Sequence, residues 1–504
     1  MILARLERHR LGTYAVTFSA GISQIVSAII LSRVAFQQMG AGELRIWFLM
    51  MALWPFISLF ELGANVVLPH RFAAVHYAPD RISAVASDFF AAVLTVIGGG
   101  ALLYAVAGPL ATYMFDNMDI LPVASALFVA AALRVCGNAL QSMLYAAGDN
   151  FYDKVLRIGS TLIQTAAGIA GLKYDLGLFS LPLAWGSGAL LSIALAVARQ
   201  RRRWHLILGV SRVSREGTRD LLATALRYFG IAIPGQIVFN ATPFIVAAML
   251  PAVYTISYGL AQQLVAGISL LTSLPMTVAA PRLARLHHES SDAAGLALLR
   301  ALRFGAIISI HCLLVVGLNQ DAILSLWTGK SIHIHTIFLA VYFGMMFIEW
   351  QQSAMTTAAM ATGNFKFVTV TAISALLVLT TMPFFINWWG FAGVPVAILV
   401  AQCLTCHPHN IRLALRIYRL HFRQYLRVLS LPLLSGAPVA LVCSGLHLSG
   451  APASWTLIAG ACVSLVMFTG AFSFLQKNSN AGKTAPSAMS FSNSSPTYPK
   501  QENG

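Results

Sequence analysis

The chain has 504 residues, of which 58% are hydrophobic and only 10% charged, with a formal net charge of +16. A water-soluble globule carries about 25% charged residues, so this composition excludes one and indicates a polytopic membrane protein. The excess of Lys and Arg does not indicate nucleic-acid binding, because its placement along the chain follows membrane topology.

A bilayer core of about 30 Å takes about 20 apolar residues per helix. Apolar windows between charged or turn-rich breaks predict an all-α protein of fourteen spans, near 12–32, 46–68, 89–108, 122–146, 155–176, 178–198, 228–250, 254–280, 303–327, 336–359, 367–388, 391–411, 428–448 and 453–475. With the N-terminus inside, inward segments hold 28 of the 33 Lys and Arg, and outward loops hold only Arg33, Arg45, Lys173 and Lys330. That asymmetry is the positive-inside pattern and predicts that both termini are cytoplasmic. MILARLERHR precedes a full-length span and has no small-residue cleavage site, so the first helix is expected to be retained.

The first span carries Gln24-Ile25-Val26, and the second carries Glu61 towards its cytoplasmic end. A charge near a span end reaches water cheaply, so Glu61 is expected to serve structure or gating. Gly98-Gly99-Gly100 in the third span suits close helix packing. The fourth span, Val123–Ala147, holds Arg134 near mid-depth, with Asn138 one turn on and on the same face. After span six, residues 199–227 carry eight basic residues against Glu216 and Asp220. This reads as a cytoplasmic connector attracted to anionic lipid headgroups.

The second half repeats features of the first. Gln236-Ile237-Val238 follows Gln24-Ile25-Val26 by 212 residues, and Pro281-Arg282 follows Pro69-His70-Arg71 at the same offset. Gly363-Asn364-Phe365 echoes Gly148-Asp149-Asn150-Phe151 at 214, and Pro395-Val396-Ala397 echoes Pro182-Leu183-Ala184 at 213. Six spans per repeat give two lobes of the same orientation, a layout that places a transport site at the lobe interface. The expected organisation is an N-lobe over 1–198, the connector over 199–227, a C-lobe over 228–411, two further spans over 412–475 and a disordered cytoplasmic tail over 476–504, Ser-, Asn- and Pro-rich.

Span ten, Ile337–Ala359, holds Glu349 near the midplane. A charge at that depth costs about 2.5 to 3.5 kcal/mol on insertion scales and is seldom kept without a partner or a task. The repeat offsets place Arg134 opposite Met346 to Ile348, within a turn of Glu349, so the two charges are expected to face one another across a wet chamber and to pair when it is empty.

The stretches MGAGELRIWFLMMALWPFISLFELGANVVLPHRFA, LLATALRYFGIAIPGQI, ATGNFKF and NWWGFAGVPVAIL resemble the Wzx-type polysaccharide flippases of the multidrug/oligosaccharidyl-lipid/polysaccharide exporter superfamily. The resemblance implies two six-helix lobes around a cavity that opens alternately to either side, two added C-terminal helices, and a bacterial inner-membrane location. It implies a lipid-linked, polyprenyl-pyrophosphate oligosaccharide as cargo, H+ or Na+ as coupling ion, membrane lipids as surroundings, and polysaccharide polymerase or export proteins as partners. Arg134 would then bind phosphate, for which a guanidinium is suited by its planar pair of donors, and Glu349 would couple or gate.

Gln24, Asn138, Gln236, Asn240 and Gln262 are the expected cavity lining for sugar hydroxyls, along with some of Gln141, Gln164, Gln263, Gln351 and Gln352, of which many are expected to bond between helices instead. Cys403-Leu404-Thr405-Cys406-His407 matches a haem-attachment spacing but sits at the inner end of span twelve, so two buried thiols are expected there, with no cofactor or metal. His287-His288 is expected in a loop. An ion-coupled multidrug or metabolite antiporter of the same superfamily is the second reading, which Glu349 also suits. A membrane enzyme such as a glycan polymerase or acyltransferase is the third, disfavoured by short outward loops without catalytic clusters. The sequence has no G-x-x-x-x-G-K-[ST] phosphate loop.

Overall fold

The structure is a computed structural model that describes residues 10–57, 68, 71–72, 79–114, 121–147, 149–203, 213–449 and 451–481. Among these residues there is no strand. In chain order the helices are α1 (Arg10–Gln38), α2 (Ala41–Ile57), α3 (Pro79–Met114), α4 (Leu121–Ala146), α5 (Asn150–Lys173), α6 (Ser180–Arg203), α7 (Arg215–Gln236), α8 (Thr242–Met249) and α9 (Ala252–Glu289). They continue as α10 (Ser291–Leu318), α11 (Gln320–Thr328), α12 (Thr336–Ala361), α13 (Val368–Trp389), α14 (Gly393–Leu404), α15 (Cys406–Ile417), α16 (Phe422–Leu448) and α17 (Ala453–Ala481). Reading α7 with α8, and α14 with α15, as single passes gives a helix at each predicted span, the second being described only as far as Ile57.

Nine segments of the described residues are long and apolar enough to cross a membrane, and one of them, Val368–Ile417, folds back at Gly390–Ala392 to cross twice. Helix α12 is not among the nine, because Glu349-Trp350-Gln351-Gln352 interrupts its apolar run. Large apolar side chains such as Leu376, Leu441 and Val466 are more than 60% exposed, as a lipid-facing surface requires.

We call the end of the bundle that bears residues 39–40, 250–251 and 319–335 distal and the opposite end proximal. Helices α4, α5 and α6 pack on one another, with α1 against α5 and α3 against α4; in the second half α9 packs on α10 and α12, and α13 on α14. The added pair follows, α16 lying against α10 and α17 against α16. Several sequence boundaries move. Residues 199–203 and 215–227 continue α6 and α7 rather than forming a loop, His287 lies on the last turn of α9, and α17 runs to Ala481, past the expected start of the tail. The rest of the tail, 482–504, and Glu61 lie outside the described residues.

The two halves are tied at both ends. Distally, Phe48 of α2 packs onto Gly259 of α9, where even a Cβ would sit 2.2 Å from the ring, so only glycine permits the approach. Trp327 of α11 donates from Nε1 to Ser32 Oγ (2.8 Å) and to the Ile29 carbonyl (3.0 Å) of α1, and Arg33 donates to the Leu326 carbonyl (2.9 Å). Proximally, Ser214 caps α7 by accepting from the Gly217 N–H, while the Asp88 carboxylate of α3 accepts from the Ser214 N–H. A carboxylate is favourable there because the first N–H groups of a helix carry partial positive charge. Arg71 pairs with Asp220 beside it.

Candidate functional site

The seventh pass is broken by chemistry that its sequence displays. Between Pro234 and Pro243 the chain leaves the α register for a π segment, Ile237–Ala241. In π register the Val238 carbonyl looks five residues ahead, to 243; in α register the Phe239 carbonyl looks four ahead, to the same residue. Proline has no N–H for either. Thr242 Oγ1 donates to the Val238 carbonyl (2.7 Å), and Gln262 Nε2 reaches across from α9 to the Phe239 carbonyl (3.0 Å). The same amide lies 3.4 Å from Asn240 Oδ1, and Asn240 in turn donates to Gln236 Oε1 (2.6 Å). A chain of three amides therefore lines the defect. π segments of this kind concentrate at functional sites.

Facing this defect is Glu349 of α12, half-buried. Its Oε2 accepts from Gln352 on the same helix and from Gln402 Nε2 of α14 (2.7 Å). Among the described residues no cation is paired with it. Neighbours on α12 fix the helix: Trp350 Nε1 donates to the Thr272 carbonyl of α9 (3.1 Å), and Gln351 accepts from Tyr425 of α16. Glu349, Asn240 and Gln262 line one cavity of about 360 Å³, with Ser269, Ser273 and Ser309 contributing hydroxyls. With Thr272, Tyr342 and Ser353 also in the lining, one carboxylate, two amides and six hydroxyls around such a volume can hold a cation, a proton or the hydroxyls of a sugar.

Arg134 is elsewhere. It is 6% exposed within the first half, with Nη1 donating to Ser160 Oγ (3.1 Å) and the guanidinium 5.0 Å over the Trp54 ring. Ser160 passes the link on to the Gly188 carbonyl (2.9 Å). The expected pairing of Arg134 with Glu349 is therefore absent from this structure: the guanidinium points into its own bundle, where Trp54 and Ser160 are among the groups that hold it. Asn138 is half-buried one turn away, and Gln24 is exposed on α1, outside the Glu349 cavity. Gln236 joins that site only through Asn240. Gln141 and Gln351 bond between helices, to Ser192 and Tyr425. Of the two thiols, Cys406 is buried but Cys403 is exposed, because the helix breaks at Thr405 (φ −122°, ψ −87°) and turns the pair apart.

No protein-family model and no curated protein matches the sequence. Solved structures do. The lipid II flippase MurJ in an inward closed conformation superposes with a TM-score of 0.65 at 13% identity, covering 92% of this chain and 99% of that one. An inward-facing multidrug resistance MATE family transporter of the MOP superfamily gives 0.61 at 14%, covering 82% and 98%. The Vibrio cholerae MATE transporter VcmN, as a point mutant, gives 0.59 at 12%, covering 84% and 99%. The chain has the MATE/MurJ fold.

Within the MATE/MurJ fold of this chain, Glu349, Asn240 and Gln262, three of the residues singled out in the sequence, converge in the second half. Gln402, the partner of Glu349 from another helix, was missed, being a lone amide in an apolar run 53 residues downstream. The π segment was missed too, although two prolines nine residues apart in one pass were its visible signal.

Proposed function

We propose that the protein is a transporter that moves a lipid-linked oligosaccharide across the bacterial inner membrane by alternating access, with both termini cytoplasmic. The observation that carries this reading is the Glu349 cavity, where a carboxylate, two amides and several hydroxyls meet among apolar side chains beside a broken helix. A sugar headgroup cannot cross hydrocarbon unassisted, and hydroxyl and amide walls replace its water. The share of the chain matched supports a lipid-linked cargo, since the flippase superposes on 92% of this chain and the two MATE structures on 82% and 84%. Glu349 would bind the coupling H+ or Na+, its charge balanced when the site fills. Arg134 would meet an anionic headgroup by exchanging its present contacts, Trp54 and Ser160 among them, for the phosphate. A polymerase acting on the delivered glycan is the partner this activity calls for.

The test is complementation of a strain lacking the gene, scored by surface polysaccharide, with membrane levels of each variant matched by immunoblot. Glu349→Gln, which keeps shape but removes charge, abolishes export; unimpaired export would remove Glu349 from the mechanism. A second reading, an ion-coupled antiporter for small molecules, is favoured by the carboxylate with its amide donors and no described counter-cation. It predicts that loss of the gene changes drug susceptibility and leaves surface glycan intact.

A further inference from the structure

A second cavity, of about 580 Å³, lies between α10, α12 and α16, with Leu313 as the one lining residue it shares with the Glu349 chamber. Its walls are apolar, with Leu314, Phe343, Phe347 and Leu433 around Gly344. The surface on either side is bilayer-facing: Ile337 on α12 and Leu434 and Leu441 on α16 are 61%, 71% and 73% exposed. Along α12 the lining runs from Thr336 to Phe347, roughly 16 Å at 1.5 Å per residue. That is about half of a ~30 Å hydrocarbon core, the depth of one leaflet.

The distal end of this groove is polar in a directed way. Gln320, 6% exposed, donates from Nε2 to the Ile334 carbonyl (3.1 Å), which fixes the amide and leaves Oε1 buried with no hydrogen-bond partner. An unmatched buried acceptor costs free energy unless a donor arrives. Beside it α12 begins at Thr336, with no side-chain cap and no acidic residue in its first turn. Free N–H groups at a helix start attract phosphate.

We propose that this groove is a binding site for a resident glycerophospholipid of the distal leaflet. One acyl chain lies between α12 and α16, the phosphate sits over the first turn of α12, and a headgroup hydroxyl or ammonium donates to Gln320 Oε1. The lipid wedges the C-terminal helix pair against the helix that carries Glu349. This site is independent of the cargo assigned above.

The test uses the full-length protein in nanodiscs of phosphatidylglycerol, phosphatidylethanolamine or phosphatidylcholine, each with a trace of the same lipid bearing an acyl-chain diazirine. After photolysis, labelled peptides are mapped by mass spectrometry. Groove peptides of α10, α12 and α16 label above the exposed face of α13 around Leu376. Phosphatidylglycerol and phosphatidylethanolamine, which have donors, exceed phosphatidylcholine by up to about tenfold, the value of one hydrogen bond. The comparison between the first two identifies hydroxyl or ammonium. Gly344→Phe fills the groove and removes the label; no atom lies within 4 Å of a Cβ built there, so the variant has room to fold. Gln320→Leu keeps the label but equalises the three lipids. Groove labelling no higher than at α13, labelling unchanged by Gly344→Phe, or equal labelling by phosphatidylcholine in the unmutated protein overturns the proposal. Displacement of the label by added polyprenyl phosphate overturns it as well, because the groove would then belong to the cargo.

Discussion

The bond from Gln262 to the Phe239 carbonyl exists because Pro243 cannot make it, and this gives a measurable coupling. Gln262→Leu keeps most of the side-chain volume and deletes the 3.0 Å donor. A carbonyl inside the bundle left without a partner costs about 1 to 3 kcal/mol, and this one is part-buried. Pro243→Ala returns an N–H to the position that both Val238 and Phe239 lack. In that background the backbone can serve Phe239 itself, and Gln262→Leu is expected to cost less than about 0.5 kcal/mol, the scatter of additive pairs. The interaction energy is therefore about 0.5 to 3 kcal/mol, with the proline variant partly rescuing the glutamine variant. The assay is a double-mutant cycle on unfolding in mixed SDS and mild-detergent micelles, followed by loss of helix signal. If Gln262→Leu costs the same with proline or alanine at 243, the account of the π segment is wrong. The cycle also carries a functional reading: Pro243→Ala straightens the pass beside Asn240, so export falls even where stability is restored.

Three further outcomes follow from the same geometry. Trp327→Phe removes the distal bonds to Ser32 and Ile29 while keeping the ring; at about 1 kcal/mol it shifts the balance towards a distally open state about fivefold. Electron-electron distance measurements between spin labels at Gln38 and Lys330 should show a longer population, and superimposable distributions would remove this tie from the gate. Gln402→Leu deletes one of the two amide donors to Glu349, and charge-assisted bonds of this kind are worth about 1.5 to 3 kcal/mol. Cation or proton dependence of transport should then move to a different concentration range without loss of protein from the membrane. Arg134→Met removes the Ser160 bond and the stacking on Trp54, worth up to about 2 kcal/mol when desolvated, and lowers the unfolding midpoint. If export is lost while Arg134→Lys restores both stability and export, charge suffices there; if Lys restores stability alone, the planar guanidinium has a second task.

Hydropathy and charge placement by themselves determined the class, the number of passes and the orientation to be tested, because the bilayer imposes its thickness on every helix separately and each window can be read alone. They also singled out Glu349, Asn240 and Gln262, since a polar group at mid-depth is costly wherever its helix is packed. What tertiary structure alone decided is who faces whom. The sequence pointed to a match of Arg134 and Glu349 in depth and repeat position, yet in the structure the guanidinium lies over Trp54 and bonds Ser160, and the carboxylate takes Gln402. Rotation about a helix axis is set by side-chain packing against neighbours distant in the chain, as between Phe48 and Gly259 or Trp327 and Ser32, and no window of sequence contains both partners.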